Sequence, residues 1–277
     1  MKRILLGWRT KYVLVFVLTL IATSVIAQFD TEHYLPPVWY PQDVNNNNPS
    51  SVVLSTPYDS SVVIIATPDG TTLKDTVTVY KGTPLEYVLT SSAVTGPAIT
   101  SNFNTAETNR GVIFRATFPI QVSHRIDAGN NKTFASLKGR SAEGQDFYVG
   151  SQTRLQDGSY GTSDVHFISV MAMENSTTVN VQLPGSVVAD GQPNSFSFSL
   201  NKYETYLIKS PASLNVTNNF TGARVTSNKD IVVIGGGQHL RQASAAAADG
   251  GIDQIVPVDL LGQDYIITRG ANNIEYA

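Results

Sequence analysis

Ser195-Phe196-Ser197-Phe198-Ser199-Leu200 alternates polar and apolar side chains without a break, and Val77-Thr78-Val79-Tyr80 does the same. A period of two sends successive side chains to opposite faces, as a strand with one buried face requires. Working outward, runs rich in Val, Ile, Thr, Tyr and Phe recur at 52–56, 62–67, 85–89, 112–116, 120–125 and 147–150. They continue at 167–172, 178–183, 205–209, 223–226, 231–235, 254–258 and 265–268. Pro68-Asp69-Gly70 lies between two such runs and reads as a turn. No segment carries a helical period, and the Ala-rich stretch 243–248 is too short to stand as a helix. The chain is predicted to be all-β.

The pattern also repeats. Ser61-Val62-Val63-Ile64 matches Thr178-Val179-Asn180-Val181, and Gly111-Val112-Ile113-Phe114 matches Gly222-Ala223-Arg224-Val225. Pro119-Ile120-Gln121-Val122 matches Asp230-Ile231-Val232-Val233, and Gly144-Gln145-Asp146-Phe147 matches Gly262-Gln263-Asp264-Tyr265. The order is kept, so the reading is a duplication, with a first β unit over 51–165 and a second over 166–277. Two architectures fit. One is a set of four-stranded antiparallel meanders, propeller-like; the other is two tandem β-sandwiches. The second Gly-Gln-Asp motif comes late in the sequence, and the second unit is expected to be truncated at its C-terminus.

Composition bounds the function. The 277 residues are 42% apolar and 15% charged, with no cysteine. That charge content is well below the roughly 25% of an average domain, and Ser, Thr, Asn and Gly take its place. A net charge of −3 argues against a nucleic-acid partner, because phosphate binding needs a basic face. Without cysteine there is no disulfide framework, thiolate metal site or thiol nucleophile. Residues 1–27 read as a secretory signal peptide: Lys2, Arg3, Arg9 and Lys11 precede an apolar run, and Val25-Ile26-Ala27 offers a cleavage site. The run is short for a membrane span. Its removal would take the net charge from −3 to −7. Residues 28–50 read as an extended leader, since Pro36, Pro37 and Pro41 exclude a helix and Asn45 to Asn48 favour turns.

Several blocks together resemble a known family. They are Tyr34-Leu35-Pro36-Pro37, Phe167-Ile168-Ser169-Val170-Met171-Ala172 with Thr177-Thr178-Val179, and the segment from Gly222 to Val233. The last is Asp253-Gln254-Ile255-Val256-Pro257-Val258 with Gly262 and Tyr265. This set resembles the N-terminal domain of IgGFc-binding proteins, a domain also found in large secreted proteins of Bacteroidetes-type bacteria. The resemblance covers most of 30–270 and implies a secreted or surface-exposed binding or adhesion module. Many members carry cysteines ahead of the Asp-Gln-Ile-Val-Pro block; here the small-residue loop 242–251 stands in that place.

The candidate site residues are few. His124-Arg125 and His239 with Arg241 recur after similar strands, and they read either as a ligand-contacting loop rim or as repeated structural residues. Asp157 and Asp164 bracket a loop with oxygen ligands of the kind calcium takes, though without the full acidic pattern. Tyr160 in that loop offers an adaptable contact. Trp39 and Tyr40 read as packing aromatics or as a sugar-stacking pair. No Gly-x-Ser-x-Gly elbow is present, and a triad of Asp127, His124 and a serine exists only on paper. Gly235-Gly236-Gly237 lacks the spacing of a phosphate loop and reads as a close backbone approach.

The leading expectation is a non-enzymatic module that recognises an extracellular glycoprotein or glycan through loops 126–144, 155–164 and 238–251. It has no cofactor unless calcium binds, no nucleic-acid partner and no stable membrane insertion once the signal is cleaved. A secreted calcium-supported hydrolase, with His124 and His239 facing one cavity, and a structural spacer are the alternatives.

Overall fold

A computed structural model describes residues 28–39, 50–90, 96–128, 131–150, 165–211, 219–240 and 249–262. The proposed signal peptide, the 155–164 loop and most of 238–251 lie outside the described residues. In chain order the strands are β1 (Asp30–Leu35), β2 (Val38–Trp39), β3 (Ser50–Ser55), β4 (Ser60–Ala66), β5 (Lys74–Tyr80) and β6 (Leu85–Thr90). Next come β7 (Ile99–Thr100), β8 (Ala106–Glu107), β9 (Val112–Ala128), β10 (Asn131–Ser136), β11 (Gly144–Tyr148) and β12 (His166–Ala172). The rest are β13 (Thr177–Gln182), β14 (Ser195–Leu200), β15 (Thr205–Lys209), β16 (Arg224–Leu240) and β17 (Asp249–Gln254). Two 3-10 turns, Gly139–Ala142 and Val258–Leu260, follow β10 and β17. The described residues are all-β apart from these turns, as the alternation predicts.

The two longest strands organise everything. β9 pairs with β1 and β4 along Val112 to Ala116, then with β3 and β10 along Gln121 to Ala128. Each half therefore belongs to a different part of a curled sheet, and the two parts close around one core. The N-half sheet runs β5-β4-β9-β1, and the C-half sheet runs β6-β3-β9-β10. This single bent strand stands where the sequence predicts two short ones. The bend falls at Thr117 to Pro119, because proline cannot donate to the ladder. Side chains stand in across the bend: Thr117 Oγ1 accepts from the Val62 amide (3.0 Å), and Ser61 Oγ donates to the Phe118 carbonyl (2.8 Å).

β16 repeats this plan. It pairs with β11 and β13 first and with β12 and β17 after, while β14 extends β13 and β15 extends β12. The correspondence holds residue by residue. Val63 opposite Ala116 becomes Val179 opposite Ser227, and Val52 opposite His124 becomes Ile168 opposite Gly235. Even the irregularity in β1, between Asp30 and Glu32, recurs in β11 between Gly144 and Asp146. At the bend, Asn228 Oδ1 accepts from the Thr178 amide (2.7 Å), as Thr117 does from Val62.

This order is not that of successive four-stranded meanders. Neighbours such as β3 and β9 are far apart in sequence, so each unit lies nearer the sandwich alternative than a propeller blade. The stretch read as a leader also behaves differently. Asp30–Leu35 is a ladder strand, with His33, Tyr34 and Leu35 buried. The prolines at 36 and 37, which exclude a helix, directly follow the end of that strand.

The core of the first unit, with Leu35, Val52, Leu54, Val63, Ile65, Phe114 and Val122, is continuous with Phe167, Leu207 and Ile234 of the second. The parallel pair β2–β7 bridges them through Val38 and Ile99. Trp39 packs edge-on against Phe103 at 5.8 Å, with Lys209 Nζ 5.4 Å from its ring centroid, so it serves packing. Every residue of β12 is buried, because one face meets the second core and the other meets the first unit.

Candidate functional site

His124 points inward. It is fully buried between Val52 and Ala135 on the adjacent strands, and its Nε2 lies 3.1 Å from Ser50 Oγ. Burial alone lowers its pKa to about 4, so the imidazole is neutral near pH 7. His124 is thus a core residue and not part of a ligand-contacting rim. The proposed recurrence with His239 also shifts: the register makes Gly235, and not His239, the equivalent of His124, and His239 lies further along β16. Asp127 sits on the opposite face of the strand from His124, in an ion pair with Lys132 at 3.1 Å. The drawn triad is therefore not assembled. His33 is likewise buried, with Nε2 2.8 Å from the Ile120 carbonyl, and burial lowers its pKa. The side chain of His239, and Tyr160, Asp157, Asp164 and Arg241 altogether, lie outside the described residues. Among the described residues no cluster of three His, Asp or Glu side chains could hold a metal ion.

Arg125 is the candidate that the structure places at the surface. Alternation turns it outward between the buried His124 and Ile126. Phe134, Arg125, Ser51 and Val88 lie opposite one another in a single row across β10, β9, β3 and β6. Ser136, Ser123, Val53 and Glu86 form the next row. Ser51 Oγ donates to Glu86 Oε1 at 2.8 Å and fixes that carboxylate against the sheet. Phe134 is 71% exposed, more than any other large hydrophobic residue among the described residues, and Val88 is exposed with it. The result is a sheet face whose exposed groups are an aromatic, a guanidinium, a carboxylate and the edge-strand Val88, with Val53 half-buried and Ser51 buried between them. Such a mix suits reversible protein contact, where aromatics and Arg dominate and a polar rim surrounds them.

The equivalent rows of the second unit are Ile252, Gly236, Phe167 and Lys209, then Gln254, Ile234, Ser169 and Leu207. Those rows pack onto the first unit. The same face is covered in one unit and open in the other. Its open edge lies beside the paired hairpins: a Cβ on Gly250 of β17 would stand 3.5 Å from Thr133 of β10. The stretch 126–144 read as one binding loop is instead the end of β9, the strand β10 and the 3-10 turn before β11, because Asn131 to Ser136 pair back onto β9. Sequence reading missed Phe134, Val53, Val88 and Glu86. Asn131-Lys132-Thr133-Phe134-Ala135 does alternate, but nothing local says that β6, more than 40 residues earlier, lies on the same sheet.

The three glycines 235–237 lie within β16 and permit close approach. A Cβ on Gly236 would stand 2.5 Å from the Gly251 carbonyl and 2.8 Å from Phe167 Cζ.

A second surface feature is aromatic. Tyr58 and Phe118 stack at 5.3 Å with both rings exposed, at the corner where β9 bends. The register sets Glu174 and Lys229 at this corner of the second unit, where they approach to 4.0 Å as an ion pair.

Compared with known proteins, residues 132–276 match the family model described as IgGFc binding protein. No curated protein and no solved structure matches the chain.

Proposed function

Since the chain belongs to the IgGFc binding protein family, whose model spans just over half of it, we propose that it is an extracellular binding module that recognises a glycoprotein by its protein surface. The contact would be the face of Phe134, Arg125, Val53, Val88 and Glu86. The observation that carries this reading is the double use of one face: in the second unit it is already a protein-packing surface, and in the first it is open and carries Arg and Phe. Residues 1–27 would direct secretion, and no helix among the described residues is long and apolar enough to cross a membrane.

The test is binding of residues 28–277 to immobilised glycoproteins, the Fc region of IgG named by the family description first, before and after enzymatic deglycosylation. Phe134→Ser and Arg125→Ala are each expected to weaken binding roughly tenfold or more, as truncated aromatic and Arg anchors do. Thermal stability should be unchanged, because both side chains face water. Deglycosylation and calcium chelation should leave binding intact. Undiminished binding by both variants would overturn the assignment.

The Tyr58–Phe118 stack supports a second reading, a glycan contact through a flat aromatic platform. It predicts that deglycosylation abolishes binding and that Phe118→Ser does the same.

A further inference from the structure

The two units meet on the outer side of the first unit's N-half sheet. Tyr34 and Ile113, with Ala142 from the connecting 3-10 turn, form a seat there. Met171, Met173, Val232 and the partly buried Tyr203 of the second unit pack on it. Arg115 Nη2 donates to Tyr203 Oη at 2.9 Å, and the Tyr203 ring stacks on Tyr34 at 6.3 Å. The seat takes up only part of this side of the sheet. Tyr34, Ile113, Ala66 and Lys74 form one row across β1, β9, β4 and β5, and Glu32, Arg115, Ile64 and Thr76 form the next. Further along, Val62 lies opposite Thr78 and Ser60 opposite Tyr80. Alternation turns Val62, Ile64 and Tyr80 to the same side as Ile113, yet they are 41%, 43% and 57% exposed.

The second unit shows that the fold does not require apolar residues there. The register carries Val62 and Ile64 to Thr178 and Asn180, and Thr76 and Thr78 to Ser197 and Ser199. Tyr80, one step further, becomes Asn201, the residue after the end of β14. All five counterparts are polar and exposed, and Ser197 Oγ donates to Asn180 Oδ1 at 2.7 Å. The core does not dictate the difference, because these side chains face away from it. One outer face is thus hydrophilic in the second unit and apolar in the first. An apolar face held out of the core marks a contact surface.

We propose that the face of Val62, Ile64, Thr76, Thr78 and Tyr80 packs against the same face of a second copy of this chain, as a two-fold symmetric dimer. Three observations choose that occupant. The face continues an interface the chain already has: Ile64 lies opposite Arg115, which reaches Tyr203, so the adjoining part of this sheet holds a β unit of the same kind. None of the five side chains is charged, so two copies of a chain of net charge −3 meet there without opposing like charges. Sheet faces stack on one another about 10 Å apart, and a two-fold contact needs only one self-complementary patch. The exposed parts of the five side chains come to roughly 350 Å² per copy, against roughly 800 Å² for a standard interface. The dimer is therefore weak and exchanges with monomer. This inference does not depend on the ligand proposed above, since Phe134 and Arg125 belong to the C-half sheet.

Sedimentation equilibrium of residues 28–277 tests it. At about 200 μM the mean mass is expected to rise well above that of one chain. Val62→Thr combined with Ile64→Asn should weaken association roughly tenfold or more. These are the second unit's own residues at the same positions, so the melting temperature in dilute solution should hold within about 2 °C. A second measurement needs no variant. Nitration of Tyr80 by tetranitromethane, read by mass spectrometry, is expected to fall several-fold between about 5 and 200 μM chain. Tyr148, exposed to a similar degree at 52%, serves as the reference and should not change. A chain that stays monomeric would overturn the proposal. So would protection of Tyr148 in place of Tyr80, or a dimer that Phe134→Ser abolishes and the double variant leaves intact. A monomer whose binding to immobilised glycoprotein is lost in the double variant would give the face to that partner and overturn the dimer.

Discussion

His124 is neutral in the folded protein near pH 7 because its ring has no water around it. Its folded pKa of about 4 lies below the ordinary value of 6.5. A depressed folded value means that the unfolded chain binds the proton first as pH falls. The stabilisation is therefore complete above pH 6.5 and is lost as pH drops toward 4. The gap corresponds to about 3 kcal/mol. His33, lowered for the same reason, acts in the same direction. His124→Leu is expected to flatten the fall of melting temperature between pH 6.5 and 4 without removing it; an unchanged slope would refute the assignment. Gly236 supplies a second test. Its added Cβ would press on the Gly251 carbonyl of the next strand, which cannot move without loosening the ladder. Gly236→Ala should cost about 1–3 kcal/mol. Gly150→Ala, with open space around it, should be neutral in the same melting experiment. The inward place of His124 was legible in the sequence: Ile120, Val122, His124 and Ile126 alternate with polar residues. Reading His124 and Arg125 together as one rim ignored that adjacent strand residues face opposite ways.

At the scale of elements, alternation identifies most strands but not where they join. The runs at 112–116 and 120–125 are one strand because side-chain hydrogen bonds bridge the bend, and no local signal distinguishes this from a loop. The turn after β10 shows the same limit. Gly139, at φ +60°, lies so close to β1 that a Cβ would stand 2.5 Å from that of Asp30. Asp30 holds the turn: its Oδ2 accepts from the Arg140 amide at 2.9 Å, and Arg140 Nη2 approaches its Oδ1 to 2.7 Å. These contacts outweigh desolvation and hold the carboxyl below its ordinary pKa. Gly139→Ala combines backbone strain with a clash and should cost about 1–3 kcal/mol. Arg140→Ala should cost less, since the guanidinium is largely exposed and surface ion pairs contribute about 1 kcal/mol or less. Denaturant melts of both variants check the ranking. Asp30–Leu35 read as a leader because the following prolines dominate the local pattern, while its ladder partner β9 is some 80 residues away.

At the scale of the molecule, the duplication was legible because paired motifs recur in order, but the junction was not. Its residues differ between the units, since a covered face and an open face need different chemistry. Tyr203 illustrates this. It holds φ +65°, a conformation costly for a bulky side chain, at the position where the first unit has Gly82 at φ +73°. The cost is offset by stacking on Tyr34 and the hydrogen bond from Arg115. Gln254 ties the junction from within: its Nε2 donates to the Tyr34 carbonyl at 2.7 Å, and its Oε1 accepts from the Lys138 amide at 2.5 Å. Both units also share a continuous apolar core. Such a junction makes the units one cooperative body, so calorimetry should show one transition with calorimetric and van't Hoff enthalpies in agreement. Gln254→Ala leaves two backbone groups without their side-chain partner and should cost about 1–3 kcal/mol per group left buried and unpaired. Because that cost falls on the junction rather than on either core, it should lower the melting temperature and raise the ratio of the two enthalpies above one. Two separate transitions in the unmodified protein would show instead that each unit is stable alone and that the shared core contributes little.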